Sequence, residues 1–290
     1  MLKPGSRALT LLLAMLSGLG PLSVDLYLPS LPAIGRLLQA SVADVQLTIS
    51  LYLVGYACAQ IFYGPLSDRH GRRPVLLATL GLYVLASIAC ALAFSIETLI
   101  AARVLQALGG SGAIVLARTV VRDGFEGAHV GREMARLAAI TVLAPLVAPM
   151  IGGVLQTAFG WRSNFVALFV IGAVGWIMVW FLLPETLPQR AREPVSVRSM
   201  LRSYRNLLGH ADFVVHLCIV TCCMCGLFAW ISSAAFVLQD IYGLSALVFG
   251  LAVAVVQAAF TVVTAVMLAR IYVQLAGAGE AQSGVPKSGI

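Results

Sequence analysis

Residues 45–94 read VQLTISLYLVGYACAQIFYGPLSDRHGRRPVLLATLGLYVLASIACALAF. Two long apolar runs flank a short polar loop at residues 67–74, and neither run shows the short alternation of a half-buried strand. Each run is about as long as the roughly 20 apolar residues that a helix needs to cross the hydrocarbon layer of a membrane. The stretch therefore predicts two membrane-spanning helices joined by a tight turn.

The rest of the chain has the same character. Hydrophobic residues make up 60% and charged residues 11% of the chain, and the mean hydropathy is +0.95. A soluble domain carries about 25% charged residues, so the composition excludes a soluble fold. Eight apolar runs are predicted to be spans: Ala8–Leu28, Val45–Leu66, Val75–Phe94, Leu99–Val121, Ala135–Phe159, Ser163–Pro184, Phe213–Leu238 and Ala246–Leu268. The first run is too long for a signal peptide and contains Asp25, so we expect an all-α integral membrane protein.

A polar segment divides the chain. Residues 185–212 are rich in Arg and Pro, and we interpret them as a cytoplasmic linker between a six-helix unit at 1–184 and two further helices at 213–270. The tail at 271–290 is polar and small, and we expect no ninth span there. Such a tail is typical of a truncated or frameshifted end.

The positive charges predict the orientation. All Lys and Arg residues except Arg36, Arg103 and Arg162 fall at the termini or in the gaps that share their side of the membrane. Basic residues mark the cytoplasmic side, so both termini are predicted to be cytoplasmic. The net charge of +7 is then a topology signal and gives no indication of nucleic-acid binding.

The cysteines all lie inside predicted spans, where thiols behave as small apolar residues. Cys218, Cys222 and Cys225 share one helix face, which admits a metal interpretation. A four-ligand site usually needs a ligand from a second element, and we therefore predict no metal site.

The loop after the second run contains Gly64-Pro65-Leu66-Ser67-Asp68-Arg69-His70-Gly71-Arg72-Arg73-Pro74. A tight turn is expected to need positive φ at Gly71. The charged cluster consists of Asp68, Arg69, Arg72 and Arg73. It could latch helix ends together, or the arginines could simply set the topology. The segment resembles the G-x-L-x-D-R-x-G-R-[KR] loop of the major facilitator superfamily, and every fixed position matches.

Two later segments show the same resemblance in the expected order. Residues 103–109, RVLQALG, resemble the fourth-helix R-x-x-Q-G-x-G motif, with Ala107 in place of a glycine. Residues 144–153, APLVAPMIGG, resemble the fifth-helix antiporter motif G-x-x-x-G-P-x-x-G-G, with alanines for its first two glycines. Its small residues permit close helix approach and its proline can bend the helix, although ordinary packing gives the same pattern. The motif residues are Pro145, Pro149, Gly152 and Gly153.

Three segments narrow the resemblance to the bicyclomycin- and chloramphenicol-resistance (Bcr/CflA) subfamily. They are PLSVDLYLPSLP at 21–32, ARTVVRD at 117–123, which contains Arg122 and Asp123, and FAWISS at 228–233. The resemblance implies a major-facilitator-type bundle that exports small amphipathic, drug-like compounds through a bacterial inner membrane. It also implies that the proton gradient drives transport and that no cofactor is needed. The resemblance does not predict the oligomeric state.

Two ionisable residues lie inside predicted spans, where they are costly and usually functional. The helical rise places Asp25 about 6 Å and Arg103 about 9 Å from the outer ends of their helices. They could pair directly, or through Gln106 or water; a static ion pair or a snorkelling arginine is the alternative. Our hypothesis is that Asp25 carries the proton and Arg103 biases its protonation, because burial favours the neutral acid and a nearby guanidinium favours the carboxylate.

Polar and aromatic residues are the candidates for a substrate cavity. They are Tyr27, Tyr52, Tyr56, Gln60 and Gln106. Tyr52, Tyr56 and Gln60 share one helix face at a spacing of four, although packing tyrosines would show the same spacing.

Several functions stay open. Proton-coupled export is favoured; the alternatives are an inactive remnant, a metabolite:proton symporter, and a non-transporting membrane scaffold or sensor. The direction of proton flow separates export from symport. The sequence shows no phosphate loop, nucleophile constellation or metal-ligand set, so we predict that the chain is not an enzyme.

Overall fold

The fold is helical throughout the residues that a computed structural model describes, which are 7–125, 127–187, 202, 205–206 and 208–262, and these form no β-strand. The helices are α1 (Arg7–Asp25), α2 (Leu31–Leu37), α3 (Val42–His70), α4 (Arg72–Ala91), α5 (Ile96–Gly124), α6 (Ala128–Phe159), α7 (Arg162–Leu182), α8 (Ala211–Phe236) and α9 (Ala246–Val262). A 3₁₀ turn at Leu28–Ser30 joins α1 to α2, and a π-helical turn at Val237–Ile241 follows α8.

The predicted spans are confirmed as helices. Seven described segments are long and apolar enough to cross a membrane: Ala8–Leu37, α3, α4, α5, His129–Phe159, α7 and Phe213–Ile241. The eighth, α9, is shorter within the described residues. The predictions for Lys3, Arg190, Arg192, Arg198, Arg270 and Lys287, for much of the linker and for the tail lie outside the described residues.

The first span differs from the prediction of one helix over residues 8–28. Helix α1 ends at Asp25, and the chain continues as the 3₁₀ turn and α2 as far as Leu37. Pro29 and Pro32 explain the interruption, because a proline lacks the N–H that a continuing α-helix would use. Asp25 therefore lies at the end of a regular helix inside the protein.

Local sequence explains several helix ends. Ser41 and Asp44 form a reciprocal capping box at the start of α3, and Ser95 and Thr98 do the same for α5. Gly71 separates α3 from α4 with a φ of 100°. This value confirms the predicted need for glycine in the turn.

Helix α5 packs closely against α4. A Cβ added at Gly109 would lie 2.4 Å from the backbone nitrogen of Tyr83, and one added at Gly112 would lie 2.7 Å from the Thr79 side chain. Small residues thus bring the two helices together, as is common in membrane bundles. Helix α1 lies between α5, α6 and α7 and has much of its surface buried.

The bundle has two distinct ends. The basic end consists of the α3–α4 turn, the C-terminal ends of α5 and α7, and the N-terminal ends of α1 and α6. The opposite end consists of α2, the α4–α5 turn, the α6–α7 turn and the π-helical turn. Asp25 lies toward the opposite end.

Candidate functional site

A cavity of about 450 Å³ lies between α1, α3, α5 and α6 on one side and α8 and α9 on the other. Its walls are mainly aliphatic and aromatic. The polar side chains that line it are Asp25, Tyr52, Tyr56, Thr141, Gln257 and Thr261. Asp25 supplies the one carboxylate among these described lining residues. The described lining therefore combines a largely apolar surface with a single acidic group.

Asp25 is nearly enclosed, with 5% of its surface exposed. Its Oδ1 accepts a hydrogen bond of 3.2 Å from Nε2 of Gln257, which comes from α9. A buried carboxylate without a cationic partner is costly, and one amide donor offsets that cost only in part. The charge state of Asp25 is consequently sensitive to whatever else enters the cavity.

Arg103 occupies a separate pocket and is 0% exposed. One terminal nitrogen donates hydrogen bonds to the Ser23 carbonyl oxygen at 2.9 Å and to Oε1 of Gln106 at 2.7 Å. Its guanidinium carbon lies 4.1 Å from the ring centroid of Tyr52 and 4.8 Å from that of Tyr27. Its Nε and other terminal nitrogen have no hydrogen-bond partner among the described residues. Carbonyl and amide dipoles and ring faces thus hold the buried charge.

The predicted pairing of Asp25 with Arg103 is not present in this structure. Arg103 reaches the backbone of α1 at Ser23, whereas the Asp25 side chain is directed toward α9. Two residues along a helix amount to a rotation of about 200°, so the Asp25 side chain faces nearly the opposite direction from that of Ser23. Gln106 does not bridge the two, because its Nε2 donates to Oγ of Ser87 at 2.8 Å.

The predicted cavity residues divide into two groups. Tyr52 and Tyr56 line the cavity, with ring centroids 5.8 Å apart. Tyr27, Gln60 and Gln106 are not among the lining residues. Tyr27 is buried below Arg103 and its hydroxyl hydrogen-bonds Oγ1 of Thr48 at 2.7 Å. Gln106 belongs to the Arg103 pocket.

Sequence reasoning missed the contribution of the last two helices. The missed residues that line the cavity include Met224, Phe228, Gln257, Phe260 and Thr261. Gln257 carried a usable signal, because an amide inside an apolar span needs a polar partner. Phe228 belongs to the FAWISS segment, whose family resemblance gives no indication of a cavity.

The basic end holds the predicted charge cluster. Arg72 donates through Nε to Asp123 at 2.9 Å and through one terminal nitrogen to Asp68 and to Oγ of Ser67. These contacts join α3, α4 and α5. Arg73 donates to the Trp180 carbonyl oxygen on α7.

Other members of the motif are placed differently. Arg69 and Arg122 are exposed, and Gly64 lies inside α3 with no atom within 4 Å of an added Cβ.

Glu185 is a further residue of this cluster that sequence reasoning left in the linker. Its carboxylate accepts the backbone N–H groups of Arg72 at 2.9 Å, Arg73 at 3.3 Å and Leu187 at 3.0 Å. It therefore caps the N-terminus of α4 from the end of α7, where a negative charge is favourable. A Cβ added at Gly71 would lie 2.5 Å from this carboxylate, so a side chain at this position would push Glu185 away from the cap.

The fifth-helix motif brings backbones together beyond the cavity. A Cβ added at Gly152 would lie 2.1 Å from the Leu26 carbonyl oxygen, and one added at Gly153 would lie 2.6 Å from that of Ala246. On α9, a Cβ added at Gly250 would lie 2.2 Å from the Pro149 carbonyl oxygen. These contacts confirm the close helix approach that the small residues predict.

Polar contacts link the same two parts of the chain at the opposite end. Arg36 forms an ion pair of 2.7 Å with Asp240, and Nε2 of Gln239 donates to the Pro29 carbonyl oxygen at 3.2 Å. These contacts and the three glycine contacts together form what we call the opposite-end seal. The ion pair, the Gln239 bond and the contacts of Gly153 and Gly250 join the 3₁₀ turn, α2 and α6 to the π-helical turn and α9. The Gly152 contact packs α6 against Leu26, which follows α1.

Comparison with known proteins identifies a family profile and several bacterial relatives. Residues 13–279 match the family profile described as Major Facilitator Superfamily. The Bacillus subtilis protein named "Uncharacterized MFS-type transporter YdgK" is 42% identical over 246 residues, which cover 84% of this chain and 61% of that protein. The Escherichia coli "Multidrug resistance protein D" is 32% identical, with 82% and 60% of the two chains covered. The Haemophilus influenzae "Bicyclomycin resistance protein homolog" is 31% identical, with 83% and 60% covered. The chain thus spans about three fifths of the length of these relatives.

Solved structures with the same fold include two transporters. A bacterial homologue of the human lysosomal transporter Spinster, described as inward-facing and unoccupied, superposes with a TM-score of 0.71 at 18% identity and covers 88% of this chain and 60% of that one. A D-xylose–proton symporter superposes with a TM-score of 0.64 at 16% identity, with 91% and 69% covered. At these identities the likeness concerns the fold alone.

Proposed function

This chain belongs to the major facilitator superfamily of membrane transporters, and from that premise we propose that it exports small amphipathic compounds in exchange for protons. Membership of this family agrees with the prediction that the chain is not an enzyme. The observation that carries the proposal is the carboxylate of Asp25, which lies enclosed in a largely apolar cavity with a neutral amide as its described partner.

The cavity suits two competing occupants. A proton neutralises Asp25 and removes the cost of a buried charge, while a substrate with a donor or positive group satisfies the ionised carboxylate. The aromatic walls at Tyr52, Tyr56 and Phe228 then contact the rest of the substrate. Competition for one carboxylate is sufficient to exchange one species for the other.

Arg103 has a supporting role in this proposal. Its guanidinium donates to the Ser23 carbonyl oxygen, two residues before Asp25, and lies against the Tyr52 ring that lines the cavity. Arg103 thus supports the wall of the cavity that contains Asp25 through the Tyr52 ring.

Relatives whose names refer to multidrug and bicyclomycin resistance support the proposed substrate class. The bacterial relatives support an inner-membrane location. The distribution of basic residues supports an orientation with the basic end, and both termini, in the cytoplasm. We propose that the Arg72 cluster and the opposite-end seal alternate as closures of the two ends during transport.

Drug accumulation in efflux-deficient bacteria that express this 290-residue chain tests the proposal. We expect lower drug accumulation than in cells that do not express the chain, and an uncoupler should abolish the difference. Asp25→Asn should abolish it as well, while Glu97→Gln, which removes an exposed carboxylate, should not. Normal efflux by well-expressed Asp25→Asn would overturn the role of Asp25.

Vesicle measurements separate exchange from the alternatives. In inverted vesicles with an acidic interior, export moves the substrate into the vesicle and should drive protons out. Symport would move the substrate and protons in the same direction. A chain that is inserted and folded but moves neither species would be an inactive remnant.

A further inference from the structure

We propose that Gln257 is the positioning residue that ties the protonation of Asp25 to the opposite-end seal; this inference rests on the exchange function proposed above. Gln257 is buried, with 7% of its surface exposed, and its amide nitrogen lies 3.2 Å from Oδ1 of Asp25. The two residues are separated by 232 positions in the chain. Among the described residues, no other side chain forms a hydrogen bond with the Asp25 carboxylate.

The strength of this contact depends on the charge of Asp25. An amide N–H that donates to an ionised carboxylate forms a charge-assisted bond, which is roughly twice as strong as a neutral one. Protonation of Asp25 leaves a neutral hydrogen bond. If the amide withdraws from an ionised Asp25, a buried charge loses its donor, which adds to the penalty of separation. Ionised Asp25 therefore holds α9 against α1 more firmly than protonated Asp25 does.

The contact lies next to the seal. Gln257 is seven residues along α9 from Gly250, or about 10 Å by the helical rise, and Asp25 directly precedes Leu26. Gly250 meets Pro149 in a backbone contact that closes this end, and Gly152 packs α6 against Leu26 beside it. The Asp25–Gln257 bond therefore extends the seal to the cavity wall, and a group bound in the cavity can weaken it.

This arrangement explains why the protein does not open at the opposite end when neither a proton nor a substrate is bound. With the cavity empty and Asp25 ionised, Gln257 keeps the opposite end closed. A proton on Asp25 weakens the bond, and a substrate that binds Asp25 displaces the amide. Only a loaded carrier then opens at the opposite end, which couples the two movements.

Other ionisable groups near Asp25 are few. Tyr52 and Tyr56 face the cavity from α3, and Arg103 approaches α1 from α5 at the Ser23 carbonyl. The described lining residues of α6, α8 and α9 carry no ionisable side chain. In the seal itself, the exposed pair Arg36–Asp240 also titrates and needs a control.

The test measures the seal directly. Leu37 and Ile241 are 66% and 75% exposed at the opposite end. In the full chain, with its native cysteines replaced, spin labels at cysteines introduced at these two positions report the width of the seal in lipid nanodiscs. We expect acid to increase the population with a long label distance several-fold. Asp25→Asn should show the long-distance population at every pH.

Gln257→Leu should give the same pH-independent, wider seal, because leucine fills a similar volume without a donor. Ser232→Ala, a polar-to-apolar change on α8 outside the cavity lining, should keep the wild-type response. A wild-type pH response in Gln257→Leu would overturn the proposal and would assign the response to another group, such as Arg36–Asp240. These readouts need no transport, so loss of efflux in Asp25→Asn beside a pH-independent wild-type seal overturns this inference alone. Normal efflux in Asp25→Asn beside a Gln257-dependent seal overturns the proposed function alone.

Discussion

The guanidinium carbon of Arg103 lies 4.1 Å from the ring centroid of Tyr52, and Tyr52 also forms part of the wall of the cavity that contains Asp25. A ring face attracts a cation, and the attraction is worth about 2 kcal/mol or more where water is excluded. The ring separates the positive charge from the cavity contents but contacts both. Arg103 and Asp25 therefore act on the same space without forming an ion pair.

Tyr52 offers the first prediction. The contact with Arg103 is made by the ring of Tyr52 and not by its hydroxyl, so Tyr52→Phe should retain the efflux of the parent. Tyr52→Ala removes the ring, and a loss of about 2 kcal/mol of cation–π energy should raise the substrate concentration for half-maximal efflux about thirtyfold. Concentration-dependent uptake into inverted vesicles measures this quantity. Equal effects of the two substitutions would contradict the role of the ring.

Arg103 should not tolerate lysine. The guanidinium donates to Ser23 and Gln106 while it lies against two rings, and a lysine ammonium cannot reproduce that flat, forked geometry. Each charge-assisted hydrogen bond contributes about 1.5–3 kcal/mol, so we expect Arg103→Lys to lower proton-driven efflux at least about tenfold. Arg162→Lys is the control, because Arg162 is exposed at the opposite end. Retained efflux in Arg103→Lys would show that only the charge matters.

The features that could be predicted from the sequence are those that depend on residues close together in the chain. Apolar runs gave the spans, and the turn at Gly71 and the cluster around Arg72 followed from the spacing of glycine and charge. Asp25 was identifiable because a carboxylate inside an apolar run is rare. Tyr52 and Tyr56 were identifiable because residues four apart share a helix face.

The contacts that could not be predicted from the sequence depend on how each helix is oriented about its own axis. The length of a helix fixes the depth of Asp25 but not which neighbour it faces, and it faces Gln257 on α9 rather than Arg103 on α5. Nothing in a single sequence relates positions so far apart in the chain. Glu185 was missed for a similar reason, because its function depends on where the end of α7 lies relative to α4.

Glu185 should contribute to stability. It caps the N-terminus of α4 through the backbone N–H groups of Arg72 and Arg73. Loss of a helix cap costs about 0.5–2 kcal/mol, so Glu185→Ala should lower the thermal unfolding temperature in detergent, and Glu185→Gln should lower it less. An unfolding temperature unchanged in Glu185→Ala would contradict the capping role.

Gly152 and Gly131 on α6 should respond to alanine in opposite ways. A Cβ at Gly152 meets the Leu26 carbonyl oxygen at 2.1 Å, whereas a Cβ at Gly131 has no atom within 4 Å. Gly152→Ala must displace a backbone, which costs about 1–3 kcal/mol, while Gly131→Ala should stabilise its helix by about 0.5–1 kcal/mol. Thermal unfolding of both variants measures the difference. Destabilisation of similar size at the two positions would show that α6 and α1 do not pack as described.

Gly20 should control the size of the cavity through Tyr56. A Cβ added at Gly20 would lie 2.2 Å from the Tyr56 hydroxyl oxygen and 2.6 Å from the ring carbon that carries it. Because Tyr56 lines the cavity and its obstructing atoms belong to the far end of a side chain, Gly20→Ala should displace the ring into the cavity and leave the backbone in place. We expect efflux of a bulky substrate to fall while a smaller one is still exported, and thermal stability to change little.

A second substitution tests the cause of that selectivity. Tyr56→Leu in the Gly20→Ala background removes the atoms that the new methyl group would meet, and so should restore export of the bulky substrate. Tyr56→Leu alone shows whether loss of the ring itself limits export. If the double variant exported the bulky substrate no better than Gly20→Ala, the methyl group would be acting on the backbone of α1. The cavity would then owe its size to helix packing rather than to the position of one ring.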